Sequence, residues 1–249
     1  MGRMGLRLIA LAAEDPALRL SAALDRPGHP RLGEDAGLAA GIAAAGMPVT
    51  ASVPAGTSLD AMIDFSSPEA ATAIARWCRE HGVPLVVGTT GLEPARRAEV
   101  EACATSIPVL ISPNMSRAVN LLMKLVGEAA RVLGSTADVE IIERHHRTKK
   151  DAPSGTALRL AEFAGRGLAA ARLVERNAAT RQTGEIGIHA LRVADCPGEH
   201  TVVFALMGET IELSHRALNR DGFARGALDA AKFLAGRPAG LYTMEDVLA

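Results

Sequence analysis

Residues 143–157 read Glu-Arg-His-His-Arg-Thr-Lys-Lys-Asp-Ala-Pro-Ser-Gly-Thr-Ala, the densest collection of chemically active side chains in a chain of 249 residues. His145, His146, Arg147, Lys149 and Lys150 crowd the stretch directly after a strand-like run. Such a loop suits an anionic ligand, and a histidine set among cations is expected to titrate low and to be available for proton transfer. Pro153-Ser154-Gly155-Thr156 then has the composition of a helix start, where free N–H groups and the positive end of the helix dipole form an anion seat. Gly155 permits close approach of a ligand to the backbone. Four readings are open for this run. It can be a solvated basic surface with ordinary N-cap residues, or a His-His metal site, which lacks a third ligand of suitable type nearby. It can hold a Ser154 nucleophile activated by a histidine, or bind a carboxylated substrate with a histidine as proton donor. The last uses the cations, the histidines and the helix start together.

A second constellation has the spacing of a dinucleotide site. Asp25 closes the strand-like run Leu18–Leu24, twenty positions after Gly5, where a dinucleotide fold places the acid that holds the adenosine ribose. Arg26 beside it suits a 2′-phosphate, so the pair suggests acceptance of both NADH and NADPH. Gly88-Thr89-Thr90-Gly91 follows an apolar strand and fits either a turn or the approach to the nicotinamide half of a cofactor.

The elements that must carry these residues follow from apolar periodicity. Helical spacing covers Gly5 to about Ala13. Residues 31–48 read as loop or weak helix. Strands are predicted at Ala61–Phe65, Leu85–Val87 and Pro108–Ile111, with helices from Pro68 through Arg79 and from Pro94 to about Cys103. This alternation of continuous apolar strands with helices predicts an α/β fold with a Rossmann-like, doubly wound parallel sheet. After a helix over about 116–133 the rhythm changes. A strand at Val139–Glu143, a helix after Ser154, and closely spaced strands at 186–193, 201–206 and 210–216 predict antiparallel pairing in a second α+β domain with a mixed sheet. A last helix runs from Phe223 to Leu234.

Composition excludes several classes. A net charge of −1 gives no electrostatic reason to expect nucleic acid or an anionic membrane as partner. Cys78, Cys103 and Cys196 are far apart and fit reduced, packed thiols rather than disulfides or zinc ligands. No apolar run approaches the ~18 residues that span a bilayer. The Leu8–Ala13 run after Arg3 and Arg7 is shorter than the ~7–15 apolar residues of a secretory signal, and Leu6 stands where myristoylation requires Ser or Thr. A cytoplasmic location is expected.

With these pieces assembled, the chain resembles the 4-hydroxy-tetrahydrodipicolinate reductase (dihydrodipicolinate reductase) family of the diaminopimelate route to lysine. The run Glu143–Ala157 carries the resemblance most specifically. Ile63-Asp64-Phe65-Ser66-Ser67-Pro68, Val87–Gly91, Gly198-Glu199-His200-Thr201 and Gly208-Glu209 with Glu212 and His215 look like further family blocks in family order. The resemblance implies a dinucleotide-binding domain from residues 1–116 and 221–249, and a substrate-binding and tetramerisation domain from 117–220. It implies hydride transfer from NADH or NADPH to a cyclic imino dicarboxylate by a homotetramer. Carried over residue by residue, it makes His145 the acid/base candidate and Lys149 the proton donor. His146, Ser154, Gly155 and Thr156 would hold the substrate carboxylates. Gly88, Thr89, Thr90, Ser112, Pro113, Asn114 and Met115 would line the cofactor, with Asp25 and Arg26 at its adenosine end.

Three departures from the family pattern stand out. Residues 170–181 look shorter than usual and lack glycines before Arg181, and Lys150 replaces a commonly apolar residue. The largest is at the start, where Gly2-Arg3-Met4-Gly5 matches only the later part of the family's glycine-rich loop. Gly2, Arg3 and Met4 are expected at the pyrophosphate, while the first strand has no counterpart, as if the recorded start were late. A missing central strand would leave ladder groups unpaired on two neighbours, and its buried aliphatics, at about 1.5–3 kcal/mol each, together rival a domain's net stability. A non-catalytic dicarboxylate-binding relative, or a related dehydrogenase of another carboxylated substrate, are the competing functions.

Overall fold

The structure, a computed structural model, describes residues 1–168, 172–175 and 180–249. It divides into two compact units, Met1–Ser116 with Arg220–Ala249, and Arg117–Asn219.

The first unit opens with helix α1 (Arg3–Glu14), whose N-cap Gly2 is extended and supplies no side-chain cap. Short strands β1 (Ala23–Leu24) and β2 (Val49–Thr50) flank helix α2 (Ala36–Ala39) and pair in parallel with each other. Strand β3 (Met62–Asp64) leads into α3 (Pro68–His81). There the Ser67 side chain caps the Ala70 N–H, Pro68 occupies the first turn, and Gly82 ends the helix in the left-handed conformation. Strand β4 (Leu85–Val87), helix α4 (Pro94–Ala102) and strand β5 (Pro108–Ile111) continue the alternation. Leu85, Val86 and Val87 are all wholly buried, as a central parallel strand requires.

The second unit begins with α5 (Arg117–Leu133), then β6 (Asp138–His145), α6 (Gly155–Gly167), β7 (Arg172–Glu175), β8 (Glu185–Arg192), β9 (Glu199–Leu206) and β10 (Glu209–Arg216). Its sheet has the order β10-β9-β6-β8-β7. Val139, Ile141, Ile186, Ile188, Val202 and Phe204 line one face and pack against Val119, Met123, Val126, Leu160 and Phe163 of α5 and α6. The chain then returns to the first unit with α7 (Asp221–Leu234), β11 (Gly240–Tyr242) and α8 (Met244–Val247). A four-stranded parallel sheet, β11-β5-β4-β3, results.

The α/β class and the mixed second sheet agree with the sequence reading. The parallel strands fall into two sheets with β1 and β3 as edge strands, in keeping with the expectation that the first strand has no counterpart here. Helix α1 joins them, with Ile9 packed on Ala23 and Val49 and Leu11 on Ile63, Ala224 and Leu228. The strand expected over Leu18–Leu24 shrinks to Ala23–Leu24, its start taken up by a turn in which the Leu18 N–H donates to the Asp15 carbonyl. Antiparallel pairing holds for β9 with β6 and β10, whereas β8 lies parallel to β6 and β7, the α6 crossover having returned the chain into β7 in the direction of β6. Among the described residues no helix is long and apolar enough to cross a membrane.

Candidate active site

Strand β6 positions the chemistry by simple alternation. Val139 and Ile141 face the helices, and the next two side chains on that face are Glu143 and His145, fully and almost fully buried. Strand register brings the partners: His200 of β9 lies opposite Glu143, His215 of β10 opposite His200, and Arg192 of β8 opposite His145. The site is thus assembled from four strands.

Glu143 is its hub. Oε2 accepts from His145 Nδ1 at 2.6 Å and from Arg192 Nη1 at 2.9 Å. Oε1 accepts from Arg192 Nη2 at 3.1 Å and from the Ser154 N–H at 3.1 Å. Burial pushes this carboxyl up, but the bonds from Arg192 and His145 outweigh burial and hold it below the ordinary carboxylate range. An ionised carboxylate only accepts, so the proton of a neutral His145 sits on Nδ1 and Nε2 is left without one. Burial lowers the His145 pKa, Glu143 opposes that, and Lys149 and Arg192 add to it. The expected low titration therefore arises chiefly from burial, not from the cations. Arg192 already neutralises Glu143, so a second cation there would leave net buried charge. A Cβ on Gly198 would lie 3.1 Å from Nε2, and that residue has a φ of +151°, so glycine keeps this edge of the ring open.

The rest of the run surrounds this core. The Ser154 hydroxyl caps α6 by accepting from the Ala157 N–H at 3.2 Å and lies 3.2 Å from His200 Nε2. Gly155 is exposed and Thr156 half-buried at the start of α6, whose first turn carries no acid. Lys149 Nζ donates to both oxygens of Asp151 at 2.7 Å, and Arg192 Nη2 donates to the Asp151 carbonyl at 2.6 Å. His146 stands apart from the Glu143 cluster, its Nδ1 2.8 Å from Thr148 Oγ1. Lys150 is exposed. Of the 170–181 segment, residues 170–171 and 176–179 lie outside the described residues, while Arg181 pairs with Asp138 at 2.8 Å and with Glu140. Among the described residues no group of three or more His, Cys, Asp or Glu is placed to hold a metal ion.

Sequence reasoning gave Glu143, Arg192, His200 and His215 no role. For Glu143 a signal existed: an acid in the buried register of an apolar strand, two residues before a histidine. The others lie 49 to 72 residues downstream of Glu143 and only the pairing register brings them in. His200 is pushed down to about 3, by burial first and then by His145, and burial likewise lowers His215. Among the described residues Nδ1 of each lacks a hydrogen-bond partner.

These histidines have an expected signature in solution. A histidine whose folded pKa lies below its unfolded value stabilises the fold above the unfolded pKa, and that contribution is lost as pH falls towards the folded value. For His200 the window runs from 6.5 down to about 3, and at about 1.4 kcal/mol per pH unit the loss is roughly 4–5 kcal/mol. Unfolding free energy measured by denaturant should fall steeply below pH 6.5. His200→Gln should flatten that slope by about one proton, and an unchanged slope would count against His200 as its source.

In the first unit, Gly88–Thr90 follows β4 and Ser112–Met115 follows β5, at the carboxyl ends of adjacent parallel strands, where open α/β sheets take ligands. A Cβ at Gly88 would fall 2.3 Å from the Phe65 ring, so any larger residue there requires that half-buried ring to move. Thr89 Oγ1 donates to the buried Asp64 at 2.6 Å. Thr90 and Pro113 are exposed. Ser112 Oγ donates to the Asn114 carbonyl at 2.8 Å, and Asn114 Oδ1 accepts from the Ser116 N–H at 2.9 Å. The Met115 side chain lies in the apolar core with Val86, Leu110 and Ala227. The start of α1 has no side-chain cap and no acid in its first turn, so the N–H groups of Arg3 and Met4 suit a pyrophosphate. Asp25 accepts from the Arg26 N–H at 2.7 Å and pairs with the Met1 ammonium, while Arg26 is exposed.

Comparison with known proteins agrees with this architecture. Residues 1–115 match the family "Dihydrodipicolinate reductase, N-terminus" and residues 118–248 its C-terminus counterpart. A relative from Anaeromyxobacter sp. (strain Fw109-5), named 4-hydroxy-tetrahydrodipicolinate reductase, is 49% identical over 254 residues, covering 99% of this chain and 94% of the relative. One of the same name from Methylococcus capsulatus is 45% identical at the same coverage. Among solved structures, the dipicolinate-bound dihydrodipicolinate reductase from Paenisporosarcina sp. TG-14 shares the fold with a TM-score of 0.79 at 23% identity, covering 100% of this chain and 96% of that one.

Proposed function

The chain belongs to the dihydrodipicolinate reductase family, and on that premise we propose that it reduces 4-hydroxy-tetrahydrodipicolinate to tetrahydrodipicolinate with NADH or NADPH. The observation that carries the reading is the single buried cluster in which Glu143 ties His145 to the start of α6.

Two carboxylates on a small ring call for cations and free backbone N–H groups. The Ser154 hydroxyl, Gly155 and Thr156 at the start of α6 are the groups proposed to seat them, the Ser154 N–H being taken by Glu143, with Lys149 and His146 on the preceding loop. The nicotinamide dinucleotide supplies the hydride when bound, and Gly2, Arg3, Met4, Gly88, Thr89, Thr90 and Ser112–Asn114 are the residues that would hold it. Asp25 and Arg26 at its adenosine end favour use of both nucleotides. Reduction of a conjugated imine leaves a basic carbon that needs a proton, and the Lys149 ammonium delivers it. Neutral His145, with Nε2 free, accepts and returns protons beside it. A homotetramer is supported by the sheet face that points away from α5 and α6 and carries Ile142, Val203 and Ala205.

Nicotinamide absorbance followed with each nucleotide tests the reading. Turnover is expected with both, and Lys149→Ala should lower kcat about 10²-fold or more. If neither nucleotide is oxidised while dipicolinate still binds, the chain is a dicarboxylate-binding relative and the proposal fails.

A further inference from the structure

We propose that Glu143 is a positioning residue for the reaction, which sets the tautomer of His145 so that Nε2 is the nitrogen that exchanges protons. The inference rests on the reductase reading for its kinetic consequence but on geometry alone for the tautomer.

The donor count around Glu143 carries the argument. Its four partners are Arg192 Nη1 and Nη2, the Ser154 N–H and His145 Nδ1. Guanidinium and backbone N–H groups can only donate, so three of the four are fixed. Only the imidazole can be either donor or acceptor. With a carboxylate at the centre, both oxygens accept, and His145 is forced to donate from Nδ1. The carboxylate is wholly buried, so water does not compete for these places.

An amide in the same place cannot satisfy the same ring of donors. A glutamine has one oxygen and one NH2 group. Turned towards Ser154 and Arg192 Nη2, the NH2 meets two fixed donors. Turned towards His145 and Arg192 Nη1, it meets one fixed donor and one group able to change. Glu143→Gln therefore favours an NH2 that donates to His145 Nδ1, and the imidazole proton moves to Nε2. The oxygen stays on the Ser154 side, so the helix start that seats the carboxylates is kept.

The charges facing His145 give the direction of its titration. Glu143 on its own strand favours the cation, while Lys149 from the loop, Arg192 from β8 and burial oppose it. His200 of β9 stands 5.2 Å away, ring centre to ring centre, and His215 of β10 lies behind it. Removing the negative charge at 143 leaves the opposing influences alone, so His145 should titrate lower still.

Nitrogen NMR on 15N-histidine-labelled protein tests this without substrate, with the His145 signal assigned by its loss in His145→Gln. The wild type should show neutral His145 protonated at Nδ1. Glu143→Gln should show it protonated at Nε2, with kcat lowered about 10²-fold, the substrate KM changed less than about threefold, and the pH limb that reports His145 moved to lower pH. A wild-type ring protonated at Nε2 overturns the proposal, and that measurement stands even if the variant does not fold. A variant that keeps the Nδ1 proton and the wild-type pH profile, with only heat stability reduced, also overturns it. If the tautomer switches but neither variant nor wild type oxidises a nicotinamide nucleotide, the tautomer assignment holds, while the positioning role falls with the reductase reading.

Discussion

His145→Gln should lower turnover by about 10²–10⁴-fold, the range that a positioned acid or base contributes, while the protein stays folded. Glutamine is close in reach and can still donate to Glu143 Oε2 in place of Nδ1. It cannot carry a proton at any pH near neutrality. The loss should therefore appear in kcat, with the substrate KM nearly unchanged, because the α6 start and Lys149 are untouched. The wild-type pH dependence on the acid side should also vanish, since burial places the titration of His145 below that of a free histidine. Steady-state rates from pH 5 to 9, with heat unfolding of both proteins as control, decide the matter. Wild-type turnover in His145→Gln would remove this residue from the reaction.

Arg192→Ala should strongly destabilise the second unit. It leaves Glu143, with no exposed surface, without its guanidinium partner. Breaking a buried pair from one side costs about 3–5 kcal/mol. Two further bonds to Glu143 remain, from His145 and the Ser154 N–H, so a value near the lower end is expected. The sign with pH is the diagnostic. Without Arg192, burial dominates and the Glu143 carboxyl titrates above its unfolded value, so the penalty is absent in acid and grows as pH rises through neutrality. Denaturant unfolding at pH 5 and pH 8 should therefore separate variant from wild type more widely at pH 8. Adding Glu143→Gln to Arg192→Ala, which removes the orphaned charge while the amide oxygen still accepts from the Ser154 N–H, should restore part of the stability and none of the activity. Equal destabilisation at both pH values would show that the lost packing of the arginine stem, not the orphaned charge, is responsible.

Legibility in the sequence divides along physical lines. The loop at 146–154 and the start of α6 were readable because cation density, Pro153 and the Ser154 cap act over a few residues. The buried row of β6 was half readable: Val139 and Ile141 alternate as a strand should, but the predicted strand stopped at Glu143, since a charged residue and two histidines look like loop. Tertiary burial extends β6 to His145 and makes Glu143 interior. Arg192 carries no local mark, and the blocks that hold His200 and His215 show no sign of their place beside Glu143, because strand register set over long separations brings them in. Strands β1, β2, β7 and β11, two to four residues each, are too short to show a period of two. The separate roles of His145, His146 and Lys149 came from family resemblance, whereas those of Asp25 and Arg26 were read from spacing.

The division of the parallel strands into two sheets also bears on how this protein can change over generations. The β1–β2 pair joins only Ala23 and Leu24 to Val49 and Thr50, and leans on Ile9 of α1. The wholly buried strand β4 belongs to the other sheet. Asp25 and Arg26, proposed to grip the adenosine end of the nucleotide, therefore sit on a small patch whose mutations scarcely touch the main core. Nucleotide preference can drift there at little cost to the fold. Gly88, pressed against Phe65 at the end of β4, can change only if that ring moves.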